Sequence, residues 1–533
     1  MTSTTCPEDP RARQRLQDHE ADVVVVGAGV FGCAAAHTLA EQGRSVILLE
    51  RWMHQPNRIV GELMQPGGLR SLHKLGLQGC VENIDAVPCL GYDVLYYGRD
   101  VSIPYPYLDD DGKVIPEKKA QAMLAGSKNG TANGSANGHS NGHANGHTNG
   151  HANGSTHPKK NDDMKRPEGV SFHHGRFINE LRKACLKHPN ITVFETEVIS
   201  TITSDHSPQV LGVKTQTKDS ETGEKHADTF FAQLTIIADG YASKFRKQYV
   251  TEAPVVRSKF YALELIDCVL PHKGHGHVVI GAPSPVLLYQ IGTHETRVLV
   301  DVPEKLPEAA PAAGGVRGYM RNTVLPILPP SVQPSFLAAL DKEDRIPSSM
   351  PNSWLPPSRQ TQNPGVIVLG DAMNMRHPLT GGGMTVALND VVILDEVLSM
   401  ERVPDLGDTA AVARAMEELH KRRKSLTGII NVLAQALYSL FSAQDPQLAK
   451  LRRGCFEYFV RGNSDEPVSM LGGVLENPAT LTRHFFTVAL LAIWLDWNDN
   501  GLWNLPLNLF NAIALLYTAS VVFLPVLWRE LAK

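Results

Sequence analysis

The chain has 533 residues, of which 42% are hydrophobic and 20% charged, and its net charge is −4. This length exceeds what one compact core needs, and the composition is that of a folded chain, so we expect two domains with appendages. The near-neutral charge excludes a general nucleic-acid binder, which normally presents a strongly basic face.

The cysteines are scattered along the chain and form no CxxC pair. An odd, unpatterned set is typical of reduced thiols, so we expect the body of the protein to face a reducing compartment. The seven positions are Cys6, Cys33, Cys80, Cys89, Cys185, Cys268 and Cys455.

The first elements predict a β-α-β unit that binds a dinucleotide. A buried parallel strand at Val23 to Val26 enters the turn GAGVFG, which is followed by a helix at Cys33 to Gln42 and a strand at Ser45 to Leu49. Gly27, Gly29 and Gly32 would let the backbone approach a pyrophosphate at the helix N-terminus. Glu50, 23 residues after Gly27, would accept hydrogen bonds from ribose hydroxyls. FAD and NAD(P) both fit this pattern.

Residues 125–160 are a low-complexity insertion rich in Asn, Gly and His, with NGHx repeated every four residues. Such a composition favours turns and supplies no core, so we expect a disordered surface loop. Its histidines share helical spacing, but adjacent glycines disfavour that helix, and we therefore expect no metal site.

Two later motifs each follow a predicted strand. Asp239 begins DGYASKFR, which fits the pattern DGxxSxxR, and Asp371 ends a Gly-Asp pair that precedes the glycine turn at Gly381 to Gly383. Each motif alone also fits an ordinary strand-to-helix turn. Together with the GAGVFG turn, and in this order, they resemble the p-hydroxybenzoate hydroxylase-like flavoprotein monooxygenases, which favours FAD. The fold implied is α/β, a Rossmann-like FAD-binding domain with an inserted antiparallel-sheet substrate domain.

The C-terminal region predicts membrane attachment. The segment from Leu505 to Trp528 contains 24 residues without a charge, and as a helix it is roughly 36 Å long, enough to cross a hydrocarbon core. The run from Phe485 to Leu495 is shorter and suits an interfacial or re-entrant helix. The alternative is a pair of core helices in a large soluble domain. Tryptophans that suit a membrane interface flank the runs: Trp494, Trp497, Trp503 and Trp528.

Four longer segments resemble the squalene epoxidase (squalene monooxygenase) family almost residue for residue. They are RIVGELMQPGG (58–68), FHHGRF (172–177), SPVLLYQI (284–291) and GDAMNMRHPLTGGGMTVALND (370–390). The resemblance implies FAD-dependent oxidation of squalene by O2 to (S)-2,3-oxidosqualene in sterol biosynthesis. It also implies electrons from an NADPH–cytochrome reductase, contact with membrane lipid, and an endoplasmic reticulum location with the catalytic domain facing the cytoplasm.

The resemblance also implies site residues. Gln65 and Tyr92 match a pair that lines the family's substrate pocket, although Tyr92 also fits a packed strand aromatic. We assign no acid–base catalyst, because squalene offers neither an acidic proton nor a carbonyl group. Glycine turns and strand-end acids add further positions to the FAD contacts that the resemblance implies. The combined set is Gly27, Gly29, Val30, Phe31, Gly32, Glu50, Arg51, Arg58, Leu63, Arg182, Val198, Asp239, Asp371, Gly382 and Met384.

The predicted organisation interleaves the two domains along the chain. The FAD-binding domain takes 21–124, 161–254 and 361–400, and the substrate-binding sheet domain takes 255–360. The remaining segments are a disordered N-terminus (1–20), the insertion (125–160), a helical region (401–478) and membrane-anchoring helices (479–533). Two other functions stay open at this stage: a flavoprotein that acts on another polyene lipid, and a non-catalytic FAD-binding isoprenoid carrier.

Overall fold

The structure is a computed structural model that describes residues 9–109, 112–130, 166–219, 222–281, 283–342, 347–357, 363–501 and 504–532. The prediction of a disordered N-terminus is wrong for residues 9–20, which form α1, a π-helical turn and the start of β1, while residues 1–8 lie outside the described residues. Residues 131–160 of the insertion also lie outside these ranges, and residues 125–130 at its start belong to a helix. The strands are β1 (Glu20–Val26), β2 (Val46–Glu50), β3 (Leu63–Met64), β4 (Val87–Cys89), β5 (Gly91–Tyr96), β6 (Arg99–Pro104), β7 (Tyr107–Leu108), β8 (Val114–Ile115), β9 (Gly169–Ser171), β10 (Ile191–Glu195), β11 (Glu197–Thr203), β12 (Val210–Lys218), β13 (Lys225–Ile237), β14 (Val255–Ile266), β15 (His275–Ile280), β16 (Val286–Gln290), β17 (Glu295–Pro303), β18 (Ser349–Trp354) and β19 (Val366–Val368).

The α-helices cluster at the start and in the C-terminal third of the chain. They are α1 (Pro10–Arg13), α2 (Val30–Glu41), α3 (Pro66–Lys74), α4 (Glu117–Gly130), α5 (His174–Lys187), α6 (Arg246–Tyr249), α7 (Gly315–Tyr319), α8 (Gln333–Lys342), α9 (Gly383–Val397), α10 (Thr409–Arg422), α11 (Ile429–Phe441), α12 (Pro446–Val460), α13 (Asp465–Leu471), α14 (Pro478–Asn500) and α15 (Leu505–Leu527).

The first sheet confirms the predicted β-α-β unit. Its order is β10-β2-β1-β13-β12-β11, and β19 pairs with the C-terminal half of β13. The strands β10, β2, β1, β13 and β19 run parallel, with Val24 opposite both Ile47 and Thr235. Val23–Val26 are almost fully buried because helices such as α2 and α5 pack on the sheet, which explains the continuous apolar run. The parallel strands therefore end together, at the edge where ligands of such sheets bind.

The second sheet has the order β18-β14-β17-β16-β15-β5-β6 and is antiparallel except where β15 pairs with β5. This confirms the antiparallel sheet predicted after residue 255. Side chains alternate between its faces: Val298 and Val300 pack toward α7 and α8, whereas Leu299 packs toward the C-terminal helices. The sequence assigned residues 91–104 to the FAD-binding domain, but the structure places β5 and β6 in this second sheet. The place of β5 and β6 in the second sheet follows only from the pairing of β5 with β15.

The last two helices form an antiparallel pair that has one buried face and one exposed face. Leu515, Ala519 and Phe523 of α15 are fully buried, and the Phe523 ring stacks on Phe485 of α14 with centroids 3.9 Å apart. Close packing of α14 on α12 depends on Gly454, because a Cβ there would lie 2.7 Å from that of Ala492. The pair is thus anchored to the body of the protein through small and aromatic side chains.

The opposite face of this helical pair is apolar and exposed. On α15, Phe510, Ile513, Tyr517 and Val521 each expose more than half of their surface. Among the described residues, Pro478–Asn500 and Leu505–Glu530 are helices long and apolar enough to cross a membrane. The helix at Pro478–Asn500 is longer than the interfacial segment predicted from the sequence. An apolar surface of this extent, on helices of this length, fits membrane association.

Candidate functional site

The GAGVFG turn leaves an open space beside the start of α2. Gly27 has φ +102°, and a Cβ on it would lie 2.6 Å from the carbonyl oxygen of Ala238. A Cβ on Gly32 would lie 1.8 Å from the carbonyl oxygen of Gly27, so this glycine permits close helix–strand packing. A Cβ on Gly29, in contrast, would meet no atom within 4 Å among the described residues. Gly29 is also the N-cap of α2 and has no side chain to cap it, so the first N–H groups of α2 face a space suited to an anion.

Glu50 and Arg182 stabilise this turn through hydrogen bonds with its backbone. The Glu50 carboxylate accepts hydrogen bonds from the backbone N–H of Ala28 at 2.7 Å and of Trp52 at 3.1 Å. Arg182 lies 3.4 Å from Glu50 and donates to the carbonyl oxygens of Ala28 at 3.0 Å and of His54 at 3.1 Å. Both residues predicted to contact FAD therefore also order the turn that would bind it.

The two strand-end acids are brought together, as expected from adjacent parallel strands. Asp239 follows β13 and Asp371 follows β19, and Arg246 of the DGxxSxxR motif links the two segments. The Arg246 guanidinium donates to the carbonyl oxygens of Tyr241 at 2.9 Å, Asp371 at 3.0 Å and Ala372 at 2.8 Å. Burial raises the pKa of Asp239.

A large cleft, partly open to solvent, begins at this edge of the first sheet. Arg58 and Asp371 lie 3.8 Å apart on its wall, and the cleft extends to the apolar side chains of Val278, Leu287 and Leu299 in the second sheet. Eight of the seventeen predicted site residues line it: Gly29, Val30, Phe31, Arg58, Leu63, Tyr92, Asp371 and Met384. The cleft therefore has two parts: a polar part that suits a cofactor and an apolar chamber next to it.

Other predicted positions lie outside the cleft lining. Gly382 is buried, and a Cβ on it would meet Ile430 of α11 at 2.5 Å, whereas its neighbours Gly381 and Gly383 line the cleft. Val198 is buried in β11, and Arg51 is exposed with its guanidinium 3.7 Å from the centroid of the Trp52 ring.

Gln65 supports Tyr92 from the protein interior rather than lining the cleft. The Gln65 side-chain amide donates to the Tyr92 hydroxyl and to the carbonyl oxygen of Thr380 at 2.7 Å, while Tyr105 donates to the Gln65 side-chain oxygen. The Tyr92 hydroxyl also donates to the carbonyl oxygen of Thr380, at 3.1 Å. Gln65 is fully buried, and burial raises the pKa of Tyr92. This network fixes the Tyr92 ring in the wall of the chamber.

The apolar chamber continues toward the membrane-type helices. A second, smaller space shares Tyr92 and Leu379 with the main cleft. It shares Leu437 in turn with a third space, which reaches Phe485 and Phe523 of the helical pair. The lining of both smaller spaces is almost entirely apolar, so three adjoining spaces lie between the strand-end edge and the C-terminal helices.

Sequence reasoning missed several buried polar residues at the cleft. Glu62 and Arg297 form a buried ion pair with contacts of 2.8 and 2.9 Å, and the Tyr289 hydroxyl lies 3.4 Å from Glu62. Burial raises the pKa of Glu62, although Arg297 opposes this shift. Burial also lowers the pKa of His174 to about 3. Glu62 stands inside the RIVGEL segment, which could have drawn attention to it, but its partner is 235 residues away.

One cluster near the cleft combines Asp93, His272 and His277, whose nitrogen and oxygen atoms lie within 4.8 Å of one another. The sequence predicted no metal site, and it did not reveal this cluster. His272 Nδ1 lies 2.9 Å from the Asp93 carboxylate, and the backbone N–H of His272 donates to His277 Nε2 at 3.2 Å. Hydrogen bonds hold the three side chains together, while the buried Asp93 Oδ1 and His277 Nδ1 have no hydrogen-bond partner among the described residues.

Parts of the chain match two known protein families. Residues 231–510 match the family described as squalene epoxidase, and residues 22–56 match the FAD dependent oxidoreductase family. The chain is 56% identical to a squalene epoxidase from Gibberella zeae over 99% of both chains. It is 40% identical to one from Saccharomyces cerevisiae over 96% of both. Among solved structures, p-nitrophenol 4-monooxygenase PnpA from Pseudomonas putida DLL-E4 aligns with a TM-score of 0.58 and 16% identity, covering 86% of this chain and 100% of that one.

Proposed function

The chain belongs to the squalene epoxidase family, and on that premise we propose that its three adjoining spaces form a route that carries squalene from the membrane to the flavin. The protein is a FAD-dependent monooxygenase that epoxidises squalene with O2 in sterol biosynthesis. The observation that carries the proposed route is the shared apolar wall, in which Tyr92 borders both the cleft and the space behind it.

The residues at the strand-end edge fit FAD. The open space at Gly29 and the uncapped start of α2 suit the pyrophosphate, and Asp371 with Arg58 suits the polar groups of the cofactor. When bound, FAD supplies the activation of O2, which protein side chains cannot perform. The remaining predicted contacts, Arg51, Val198 and Gly382 among them, stay proposals.

The chain's own side chains orient the substrate and exclude water. Squalene presents only alkene and alkyl groups, so its position is determined by shape and by contacts with residues such as Val278, Leu287 and Leu299. We assign to Tyr92 and Gln65 the role of holding the chamber wall in one position, so that a terminal double bond reaches the flavin. Water exclusion matters because water promotes side reactions of reactive oxygen species.

The exposed face of the helical pair suits a substrate that dissolves in lipid. We propose that α14 and α15 insert into the endoplasmic reticulum membrane and that membrane lipid delivers squalene to the third space, near Phe485 and Phe523. Free cysteines, such as the buried Cys33 and Cys185, support a catalytic body that faces the reducing cytoplasm. In the same proposal an NADPH–cytochrome reductase delivers the electrons.

The proposed domain division follows the two sheets. The FAD-binding domain comprises the first sheet with the helices that cover it, and the substrate-binding domain comprises the second sheet, including β5 and β6. The helices α11–α15 close the chamber on the side opposite α7 and α8.

Reconstitution of the full-length protein in lipid nanodiscs with reductase, NADPH, squalene and ¹⁸O2 tests the activity. We expect one ¹⁸O atom in 2,3-oxidosqualene by mass spectrometry. Flavin-loaded protein that turns over another polyene but not squalene would contradict the substrate assignment. Absence of turnover with flavin bound would favour a non-catalytic isoprenoid carrier.

Narrowing the proposed route tests the path. Leu437 lines both smaller spaces, so Leu437→Trp is expected to raise the KM for squalene severalfold while flavin content stays at the parent value. Ile199→Trp, at an exposed position of β11, is the matched control and should leave both quantities unchanged. An unchanged KM in Leu437→Trp would reject this route.

A further inference from the structure

A chain of buried hydrogen bonds connects the end of the last helix with the cleft. Glu530 lies in the turn Trp528–Ala532, which follows α15, and it is almost fully buried. Its carboxylate accepts from the side-chain amide of Asn431 in α11 at 2.7 Å, across 99 residues of sequence. The side-chain oxygen of Asn431 in turn accepts from Arg376 Nε, also at 2.7 Å.

Arg376 carries this chain to the glycine turn of the cleft. Its guanidinium donates to the carbonyl oxygen of Gly383 at 3.3 Å and to Asn374 at 2.9 and 3.0 Å. Gly383 begins α9, and Gly381, Gly383 and Arg376 all line the cleft. A side chain from the C-terminal turn thus acts, through two intermediates, on the turn beside the proposed flavin position.

Glu530 belongs to a buried cluster of charged side chains. Arg423 and Asp390 form a buried ion pair at 2.7 Å, and Arg423 also donates to Asn374 at 3.3 Å. Arg376 and Arg423 are two buried cations, with Asp390 and Glu530 among the acidic side chains near them. Truncating Glu530 removes a hydrogen-bond acceptor from this buried cluster, which displaces the remaining groups.

We propose that Glu530 is a positioning residue for the cofactor site: it holds Arg376 through Asn431, so that docking of the C-terminal helical pair completes the flavin-binding turn. This inference rests on the assignment of the cleft as the FAD site. It makes the helical pair part of the cofactor pocket in addition to its association with the membrane.

The affinity of deflavinated full-length protein for FAD tests this role without any need for squalene turnover. Glu530→Ala is expected to raise the FAD Kd about tenfold, since hydrogen bonds to charged groups are worth at least that factor. Glu530→Gln keeps a side-chain oxygen for Asn431 and should restore most of the affinity. Asn431→Ala should weaken FAD binding to a similar degree. The double variant Glu530→Ala/Asn431→Ala should raise the Kd little further, because both residues act through Arg376.

Hydrogen exchange gives a local readout that a general loss of stability would not produce. In Glu530→Ala the amides of residues 381–386 should exchange faster while those of β1 remain protected. Arg529→Gln is the matched control, since Arg529 is exposed in the same turn and its guanidinium lies 5.5 Å from the centroid of the Trp354 ring. A parent-like Kd in Glu530→Ala, or an equal loss of affinity in Arg529→Gln, would overturn the proposal. Failure of squalene turnover with the predicted Kd pattern intact would count only against the proposed function.

Discussion

Glu50 and Arg182 bind the two backbone polar groups of one residue: Glu50 accepts from the N–H of Ala28, and Arg182 donates to the carbonyl oxygen of Ala28. The two side chains are 3.4 Å apart, and Arg182 is buried. The acid that ends β2 is thus held in place by a side chain of α5 that lies 132 residues later in the sequence. The glycine turn depends on this pair for its shape.

Arg182→Leu should therefore weaken FAD binding although the side chain does not line the cleft. Loss of the guanidinium leaves Glu50 and the Ala28 carbonyl with fewer partners, which costs about 1–3 kcal/mol and corresponds to roughly a tenfold rise in the FAD Kd. Fluorescence titration of deflavinated protein measures this. Lys183→Leu, on the same helix and exposed, is the control and should bind FAD like the parent.

Alanine substitutions at two glycines of the same turn should impair different properties, FAD binding in one variant and folding in the other. Gly29→Ala places a Cβ in open space, so the protein should fold normally but lose FAD affinity at least about tenfold, because the Cβ occupies the space proposed for the pyrophosphate. Gly32→Ala places a Cβ 1.8 Å from a carbonyl oxygen, so it should destabilise the fold itself. Thermal unfolding without FAD and FAD titration together distinguish the two. Normal FAD binding by Gly29→Ala would show that the pyrophosphate lies elsewhere.

The buried network around Gln65 predicts unequal costs for its two members. Gln65→Leu leaves the hydroxyls of Tyr92 and Tyr105 with fewer partners, and we expect a loss of about 1–3 kcal/mol in unfolding free energy. Tyr92→Phe leaves the Thr380 carbonyl bonded to Gln65, so its cost should be about 0.5–1.5 kcal/mol. Both variants should retain FAD. Chemical denaturation measures the difference, and equal costs would contradict the network.

Substitutions on the two faces of α15 should affect different properties: membrane binding on the exposed face and stability on the buried face. Replacing Phe510, Ile513, Tyr517 and Val521 together by Ser should shift protein from the membrane pellet toward the soluble fraction with flavin content unchanged, since each large apolar side chain contributes about 1.5–3 kcal/mol when removed from water. Phe523→Ala is the inward-facing control. It should stay with the membrane and lose about 3–5 kcal/mol of stability. Unchanged pelleting of the quadruple variant would place the membrane contact elsewhere.

Stability should fall in mild acid partly because of His174. Burial lowers the pKa of its imidazole to about 3, from an unfolded value near 6.5, so the folded state binds fewer protons than the unfolded state between these values. The stabilisation is complete above pH 6.5 and is lost as the pH falls toward 3, by at most about 1.4 kcal/mol per pH unit. His277, with a pKa lowered to about 4, contributes in the same direction.

His174→Gln should flatten this pH dependence between pH 6.5 and 4, as measured by denaturant midpoints. The exposed His206→Gln serves as control and should retain the parent slope. A variant at position 174 with the full parent slope would show that folding does not shift the pKa of His174.

Much of the architecture was predictable because its signals are local. The GAGVFG turn between two apolar strands, the antiparallel pattern after residue 255, and the uncharged run from Leu505 each depend on residues close together in sequence. The placement of β5 and β6 was not predictable, because a strand's alternation is the same in either sheet and only its partner decides the sheet. The length of α14 was underestimated because polar residues at its ends interrupt the apolar run.

The candidate site also combines features that the local sequence predicts with features that only the fold produces. By itself the sequence determined the glycine turn, the strand-end acids and the family segments, since spacing along the chain carries these features. Only the tertiary structure decided that Gln65 supports Tyr92 instead of lining the cleft, that Glu62 pairs with Arg297, and that Glu530 reaches Asn431. These contacts join residues that are 27 to 235 positions apart. No local pattern encodes them, because a buried polar side chain takes whichever partner the packing of distant elements brings within hydrogen-bonding distance.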